Sequence, residues 1–306
     1  MVVRPRPGTL AILFSLHGSV LPAVAPKILA ITLVACAVVA LEQRWPEVLG
    51  LQSGVAPFTL VGLALSIFLS FRNNACYDRW WEARRQWGQL LVEMRGLART
   101  TVALLPGAGH DDLRRRLLQR LRAFAHALHA SLRSRDPVAA AAVWMPPDEA
   151  GLLGRGPDAA DAALRLFAAD LGQALRAGLL SDVLYAAIET KLAALSGIQA
   201  ACERIRGTPL PFAYTLLIYR TSWLYCLLLP FGLATSLGWA TPFATALVAY
   251  TFFGLDALGD ELEEPFGMQA NDLPLDALLR VIDGILLDAL GEPPPPPVEP
   301  ERFVLR

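Results

Sequence analysis

With 306 residues, of which 54% are hydrophobic and only 18% charged, the chain is too apolar for an ordinary soluble domain of its length and belongs in a membrane. Its 27 Lys and Arg balance 28 Asp and Glu, and the arginines are spread through helical stretches rather than gathered in a basic tail, so nucleic acid is not expected as a partner. Cys36, Cys76, Cys202 and Cys226 stand far apart in apolar or helical segments and suggest neither a disulfide framework nor a zinc site.

In chain order, residues 1–23 read as an interfacial segment. Arg4 and Arg6 open it, but Pro5, Pro7 and His17 interrupt it and no small-residue cleavage site follows, so it is expected to be retained rather than removed as a signal peptide. Within it, residues 8–20, with Leu10, Leu13, Phe14 and Leu16, form either a short amphipathic helix at the membrane surface or a mere leader. A first transmembrane helix is predicted over residues 24–43, where Pro26 falls in the first turn and costs little. A polar linker over residues 45–56, with Gly50 and Gly54, follows as an outer loop. From Pro57 onward no further proline interrupts a long helical stretch. Its first half, to residue 71, is apolar enough for a bilayer and completes a transmembrane portion over residues 24–71. Its second half carries Arg72, Arg79, Arg84 and Arg85, which lipid would reject, so one helix crosses from membrane into water. Gly62, Ser66 and Ser70 are spaced four apart, as are Leu63, Ile67 and Phe71, and each set forms a line along one side of the helix. The small set suits close helix packing; the large set suits either ordinary contacts or a constriction around a central axis.

Residues 72–208 read as a helical region in water. Leu113, Leu117, Leu121, Phe124 and Leu128 recur at helical spacing among arginines, after Asp111 and Asp112, which favour a helix N-terminus. A Gly/Pro/Asp-rich loop separates them from helices over residues 158–176 and 181–205, the second opened by Ser181 and Asp182. Pro211 starts a third membrane helix whose far end is marked by Pro230 and Gly232; a fourth covers residues 239–258, and residues 209–258 hold this second pair of spans. The arginines of residues 72–135 place the helical region on the cytoplasmic side. Four spans, with inward ends at Lys27, Arg72, Arg206 and Asp260, leave both termini there, in a multi-pass protein of the cell's inner (plasma) membrane. The C-terminal segment, residues 259–306, carries an amphipathic helix over residues 275–290 with Leu278, Leu279, Ile282, Leu286 and Leu287. Its tail, PPPPPVEP at residues 293–300, must be extended polyproline that hangs free or, as expected here, wraps a neighbouring subunit.

No convergent set of nucleophiles, bases or ligands points to an enzyme, and no cofactor or metal is expected. His126 and His129 are three apart, but without acidic neighbours at helical spacing they read as surface or packing residues rather than metal ligands. Arg220 lies well inside the third membrane helix, where a charge needs a partner or water; Asp256, near the inner end of the fourth, is the expected partner. Asp260, Glu261, Glu263 and Glu264 form an acidic boundary that either attracts cations or hydrates a helix end.

The stretch FRNNACYDRWWEARRQWG at residues 71–88 resembles the signature of the bestrophin family of ion channels, in its bacterial branch. HGSVL at 17–21, TPLPFAYTLLIYRTSWLYC at 208–226 and DELEEPFGMQANDLPL at 260–275 extend the likeness, in order, over nearly the whole chain. The resemblance implies an all-α membrane protein in which four transmembrane helices continue into a large cytoplasmic helical region, assembling as a homopentamer around a central pore that passes monovalent ions. On it, Leu63, Ile67 and Phe71 match the three large apolar positions of the family's neck, each forming a ring of five. Narrow apolar rings dewet and offer nothing to replace an ion's hydration, so they are natural gates. Leu180 and Val183 are candidates for a second, cytoplasmic aperture, and Arg72, Asn73 and Asn74 for the vestibule lining below the neck. Tyr77, Trp80, Trp81 and Trp87 are expected to pack between helices. In animal members, acidic residues directly after a Pro-Phe-Gly triplet help form a calcium clasp. Here Pro265, Phe266 and Gly267 are followed by Met268, Gln269, Ala270 and Asn271, and only Asp272 is acidic, so the clasp is incomplete and calcium independence is expected. Animal members conduct chloride and bacterial ones have been described as favouring monovalent cations; the acidic boundary favours cations here, with an anion channel as the alternative. A non-conducting membrane scaffold is the alternative of another class. The lack of internal repeats weighs against a secondary transporter.

Overall fold

The structure, a computed structural model, describes residues 1–3, 8, 10, 12, 15–16, 18–46 and 56–306. Most of the expected outer loop over 45–56 and, from the N-terminal segment, Leu13, Phe14 and His17 lie outside the described residues. The helices are α1 (Leu21–Arg44), α2 (Ala56–Leu104), α3 (Asp111–Leu132), α4 (Pro137–Ala142), α5 (Pro147–Ala150), α6 (Ala159–Arg176), α7 (Asp182–Gly207), α8 (Phe212–Leu237), α9 (Thr241–Glu263) and α10 (Leu275–Ala289). Among the described residues, β pairing is confined to isolated bridges near the termini.

Helix α2 is the axis of the molecule. Its 49 residues, uninterrupted by proline after the first turn, span about 74 Å at 1.5 Å per residue and join two helical bundles. In the apolar bundle its Leu65 and Leu69 pack with Val24 and Ile31 of α1, Ile218 and Cys226 of α8, and Ala249 and Phe253 of α9. In the polar bundle its Trp87, Leu90, Met94 and Leu97 enter a larger core with Phe124 of α3, Phe167 of α6, Leu195 of α7 and Ile282 of α10. The predicted stripe on α3 behaves as its spacing requires: Leu117, Leu121, Phe124 and Leu128 are buried and Leu113 packs at the edge. Ser181 caps α7 by accepting from the Leu184 N–H at 3.4 Å, and Asp158 caps α6 through the N–H groups of Ala160 and Asp161.

Among the described residues, three segments are long and apolar enough to cross a membrane, Leu21–Arg44, Pro57–Leu104 and Phe212–Glu263. The last is two helices: α8 and α9 meet at a single 3-10 turn over Gly238–Ala240, where Gly238 takes φ +50°. They run antiparallel. Near the start of α8 the Tyr214 hydroxyl donates to Phe68 O, and just past its end the Trp239 indole donates to Gln43 at the far end of α1. Helix α9 then returns to bring Asp256 beside Arg72.

The fold departs from the sequence expectations at three places. Pro230 does not end its helix: α8 runs on to Leu237, since a span enclosed by neighbouring helices tolerates one missing N–H. Of Gly62, Ser66 and Ser70, Gly62 alone packs closely within the chain, because a Cβ there would lie 2.6 Å from the Tyr225 hydroxyl; Ser66 and Ser70 are exposed. A second such contact seats Phe58 on Gly232. The C-terminal tail folds back along its own α10 rather than away from it. Glu292 pairs with Arg115 at 2.5 Å, Pro294 approaches Gly284, and Arg306 O accepts from the Ala277 N–H in the first turn of α10. Met1 and Val3 complete the clasp by pairing with Leu305 and Phe303.

Candidate functional site

On the apolar half of α2, the buried line is Leu65, Leu69, Arg72 and Cys76, which faces α8 and α9. Turned away from it stand Leu63, Ile67 and Phe71, exposed at 61%, 47% and 62%. Three large apolar side chains a turn apart thus stand about half or more uncovered by the rest of the chain. Leu60, Val61 and Phe68 are exposed as well, so the free apolar surface of α2 is wider than one stripe.

Just below these residues lies a charge cluster centred on a buried arginine. Asp256, Asp260 and Glu263 fall at i, i+4 and i+7, which sets three carboxylates on one face of α9. Arg72 of α2, fully buried, answers them. Its Nη1 donates to Asp256 Oδ1 at 2.9 Å and to Asp256 O at 3.2 Å, and its Nη2 lies 2.5 Å from Asp260 Oδ1 and 3.4 Å from Glu263 Oε2. Gly259 makes room for this approach, since a Cβ would sit 2.7 Å from Asn73 Oδ1 and 3.0 Å from Arg72 Nη1. Seven residues on, Arg79 donates to Glu263 O and Thr208 O, both at 2.6 Å, and so places a cation where α9 ends on acidic residues against its own dipole.

This arrangement overturns several expected roles. Arg220 is not the partner of Asp256; it is exposed on α8, and Arg72 takes that place because the chain brings α2 and not α8 against the acidic face of α9. Arg72 is consumed in the cluster and Asn73 faces Gly259, so neither lines an open vestibule, whereas Asn74 is exposed and stays in line with Ile67. Of the two aperture candidates Leu180 is buried in the polar core, while Val183, in the first turn of α7, is 77% exposed. The acidic boundary is largely engaged: Asp260 and Glu263 by Arg72, Glu263 also by the Leu210 N–H, and Glu261 by Asn271. Among the aromatics, Trp87 is fully buried and Trp80 donates to Asn271 O, but Tyr77 and Trp81 remain about half exposed.

The histidines have acidic partners after all, supplied by a distant helix. His126 Nε2 lies 2.9 Å from Asp283 Oδ1 and His129 Nε2 lies 2.6 Å from Asp276 Oδ1, both aspartates on α10. The His129 contact holds the Asp276 carboxyl below its ordinary range, against the opposing effect of burial. For Asp283 burial is the largest influence and pushes upward, yet the bonds from His126 and Arg122 together keep it below the usual value. Among the described residues no three His, Cys, Asp or Glu side chains gather to hold a metal ion. Asp272, the lone acid after the Pro-Phe-Gly triplet, is buried with Oδ2 accepting from the Gln269 N–H at 2.6 Å.

The Arg72 cluster was missed at the sequence level, although the spacing Asp256, Asp260, Glu263 carried the signal. The His–Asp pairs had none, because their halves lie about 150 residues apart.

Comparison with known proteins gives a consistent answer. The family described as Bacterial/Fungal Bestrophin protein matches residues 1–288. A voltage-dependent anion channel-forming protein of Mesorhizobium japonicum is 47% identical over 304 residues, covering 99% of this chain and 96% of the relative. A protein of the same description from Escherichia coli (strain K12) is 40% identical over 293 residues, 95% of each chain. The crystal structure of a bacterial bestrophin homologue from Klebsiella pneumoniae superposes with a TM-score of 0.84 at 39% identity, over 89% of this chain and 100% of that one.

Proposed function

The chain belongs to the bestrophin family and is an integral membrane protein, and we propose that it assembles as a homopentamer around a central pore and passes monovalent ions passively. The observation that carries this reading is the long α2 with Leu63, Ile67 and Phe71 uncovered at its apolar end. Repeated about a five-fold axis, they form three apolar rings that resist hydrated ions until widened. Val183 forms a second ring at the cytoplasmic aperture and Asn74 lines the vestibule between. Helices α1, α2, α8 and α9 each cross the plasma membrane once, leaving both termini and the polar bundle in the cytoplasm. Calcium plays no part in gating, since one buried carboxylate, Asp272, cannot supply the oxygens that calcium needs.

For the ion's sign, the acidic boundary no longer argues for cations, because Arg72 and Asn271 occupy it. The helical repeat carries the face of Ile67 down through Arg85 and Arg99, both exposed, which favours anions, as the names of the relatives do. A second reading, cation conduction, is favoured by exposed Asp78 on that same face and by exposed Asp182 beside Val183. Reversal potential in planar bilayers of purified protein, under a KCl gradient with calcium chelated, separates them. The expected reversal lies near the chloride equilibrium potential. A value near that of potassium gives the second reading, and absence of current from protein whose apolar rings are replaced by Ala removes the channel altogether.

A further inference from the structure

The junction between the two bundles contains a cavity of 320 Å³ that plays no part in the reading above. Arg79 of α2, Arg133 at the end of α3 and Arg206 at the end of α7 line it, and Glu264 is the one carboxylate among its described lining residues. Three guanidinium groups against one carboxylate leave a formal surplus of two positive charges.

Each guanidinium has unspent donors. Arg79 uses Nε and Nη1 on Glu263 O and Thr208 O, and Arg206 uses Nη2 on Ser134 Oγ at 3.0 Å. Arg133 reaches Leu273 O through Nη2 at 3.3 Å, while its Nε and Nη1 are buried with no hydrogen-bond partner among the described residues. The acids whose charge Arg133 feels are Asp276 and Asp272, and both are engaged elsewhere, Asp276 by His129 and Asp272 by the Gln269 N–H. Burial lowers the pKa of Arg133, the mark of a charged group short of compensation. Leaving buried donors of a charged group unmet is costly, and such groups call for a partner that completes them. A guanidinium fork matches the oxygens of a phosphate bidentately, and the cavity has the size of a small-molecule site rather than of a single ion.

We propose that this cavity binds a phosphate monoester dianion, held by Arg79, Arg133 and Arg206. The bound phosphate ties the α7–α8 and α9–α10 connections to α2, and so couples the apolar bundle to the polar one. Its source is either a phospholipid headgroup with a terminal phosphate or a soluble phosphomonoester. Pro209 lines the cavity three residues before α8 enters the apolar bundle, which puts both within reach.

The test uses the full chain in nanodiscs. Binding of glycerol 3-phosphate is measured by calorimetry in phosphatidylcholine discs, and retention of phosphatidic acid by native mass spectrometry after mixed-lipid reconstitution. At least one probe is expected to bind, and Arg133→Gln together with Arg206→Gln is expected to weaken it about tenfold or more. Arg176→Gln, exposed at the end of α6 and outside the cavity lining, should leave it unchanged. If the double variant does not fold, exposed Arg206→Gln alone carries the test. Binding of phosphatidic acid only assigns the site to lipid, and binding of glycerol 3-phosphate only assigns it to a soluble ester. No binding of either probe, or equal binding by the substituted protein, overturns the proposal. Neither readout depends on ion flux, so its failure is distinguishable from failure of the channel reading.

Discussion

In the apolar half of α2, Leu63, Ile67 and Phe71 are exposed while Arg72 is fully buried; in the polar half, Trp87, Leu90, Met94 and Leu97 are buried while Arg85, Arg95 and Arg99 are exposed. One unbroken helix therefore inverts its choice of what to hide. In water, each uncovered Leu, Ile or Phe forgoes about 1.5–3 kcal/mol of burial, so the polar half packs conventionally. Against lipid or a second copy of the chain that penalty disappears, and the expensive act becomes exposing a charge. The inversion near residue 72 is the pattern expected of a helix that passes from an apolar surrounding into an aqueous one.

The comparison breaks first at Arg72. Arg72→Ala would leave Asp256 buried without its cation, at a cost of about 3–5 kcal/mol. Loss of the monodisperse peak in detergent chromatography is the expected result, and a protein of unchanged thermal stability would mean that the cluster does not join α2 to α9. Trp87→Ala, in the other half, should cost about 3–5 kcal/mol through the cavity left beside α3, read as a fall in melting temperature. Gly259→Ala presses a methyl against Asn73 and Arg72 and should cost about 1–3 kcal/mol; an unchanged melting temperature would show that the guanidinium can retreat.

A smaller effect tests the seam between α3 and α10. Because the folded carboxyl of Asp276 titrates below its ordinary value, its contribution is complete above about pH 4 and is lost as the pH falls through the depressed folded value. His129→Ala should remove about 1 kcal/mol at neutral pH and flatten the acid limb of the stability profile. The smallest change in stability, within about 0.5 kcal/mol per site, is expected for Ala at Leu63, Ile67 and Phe71, which are about half or more exposed on their own chain. The same triple variant should nonetheless raise single-channel current. A large stability loss with unaltered current would place these residues in ordinary packing.

Much of this was legible from residue pattern. The span of α1, the unbroken course of α2 and the α3 stripe follow from local rules: proline placement, 3.6-residue periodicity and the lipid's rejection of arginine. The caps at Asp158 and Ser181 belong to the same class. By contrast, the partner of Asp256 depended on which helix packs against α9, and sequence depth alone pointed to Arg220 rather than Arg72. The fates of Leu180, Asn73 and the polyproline tail were likewise fixed by long-range packing. Sequence alone determined which stretches are helical and which are too apolar for water, because these depend on neighbours within one or two turns. Only the tertiary structure decided that α9 meets α2 through its acidic face, that α10 supplies aspartates to His126 and His129, and that three arginines converge beneath the apolar bundle. Those contacts join residues separated by tens to nearly two hundred positions, and no local periodicity encodes them.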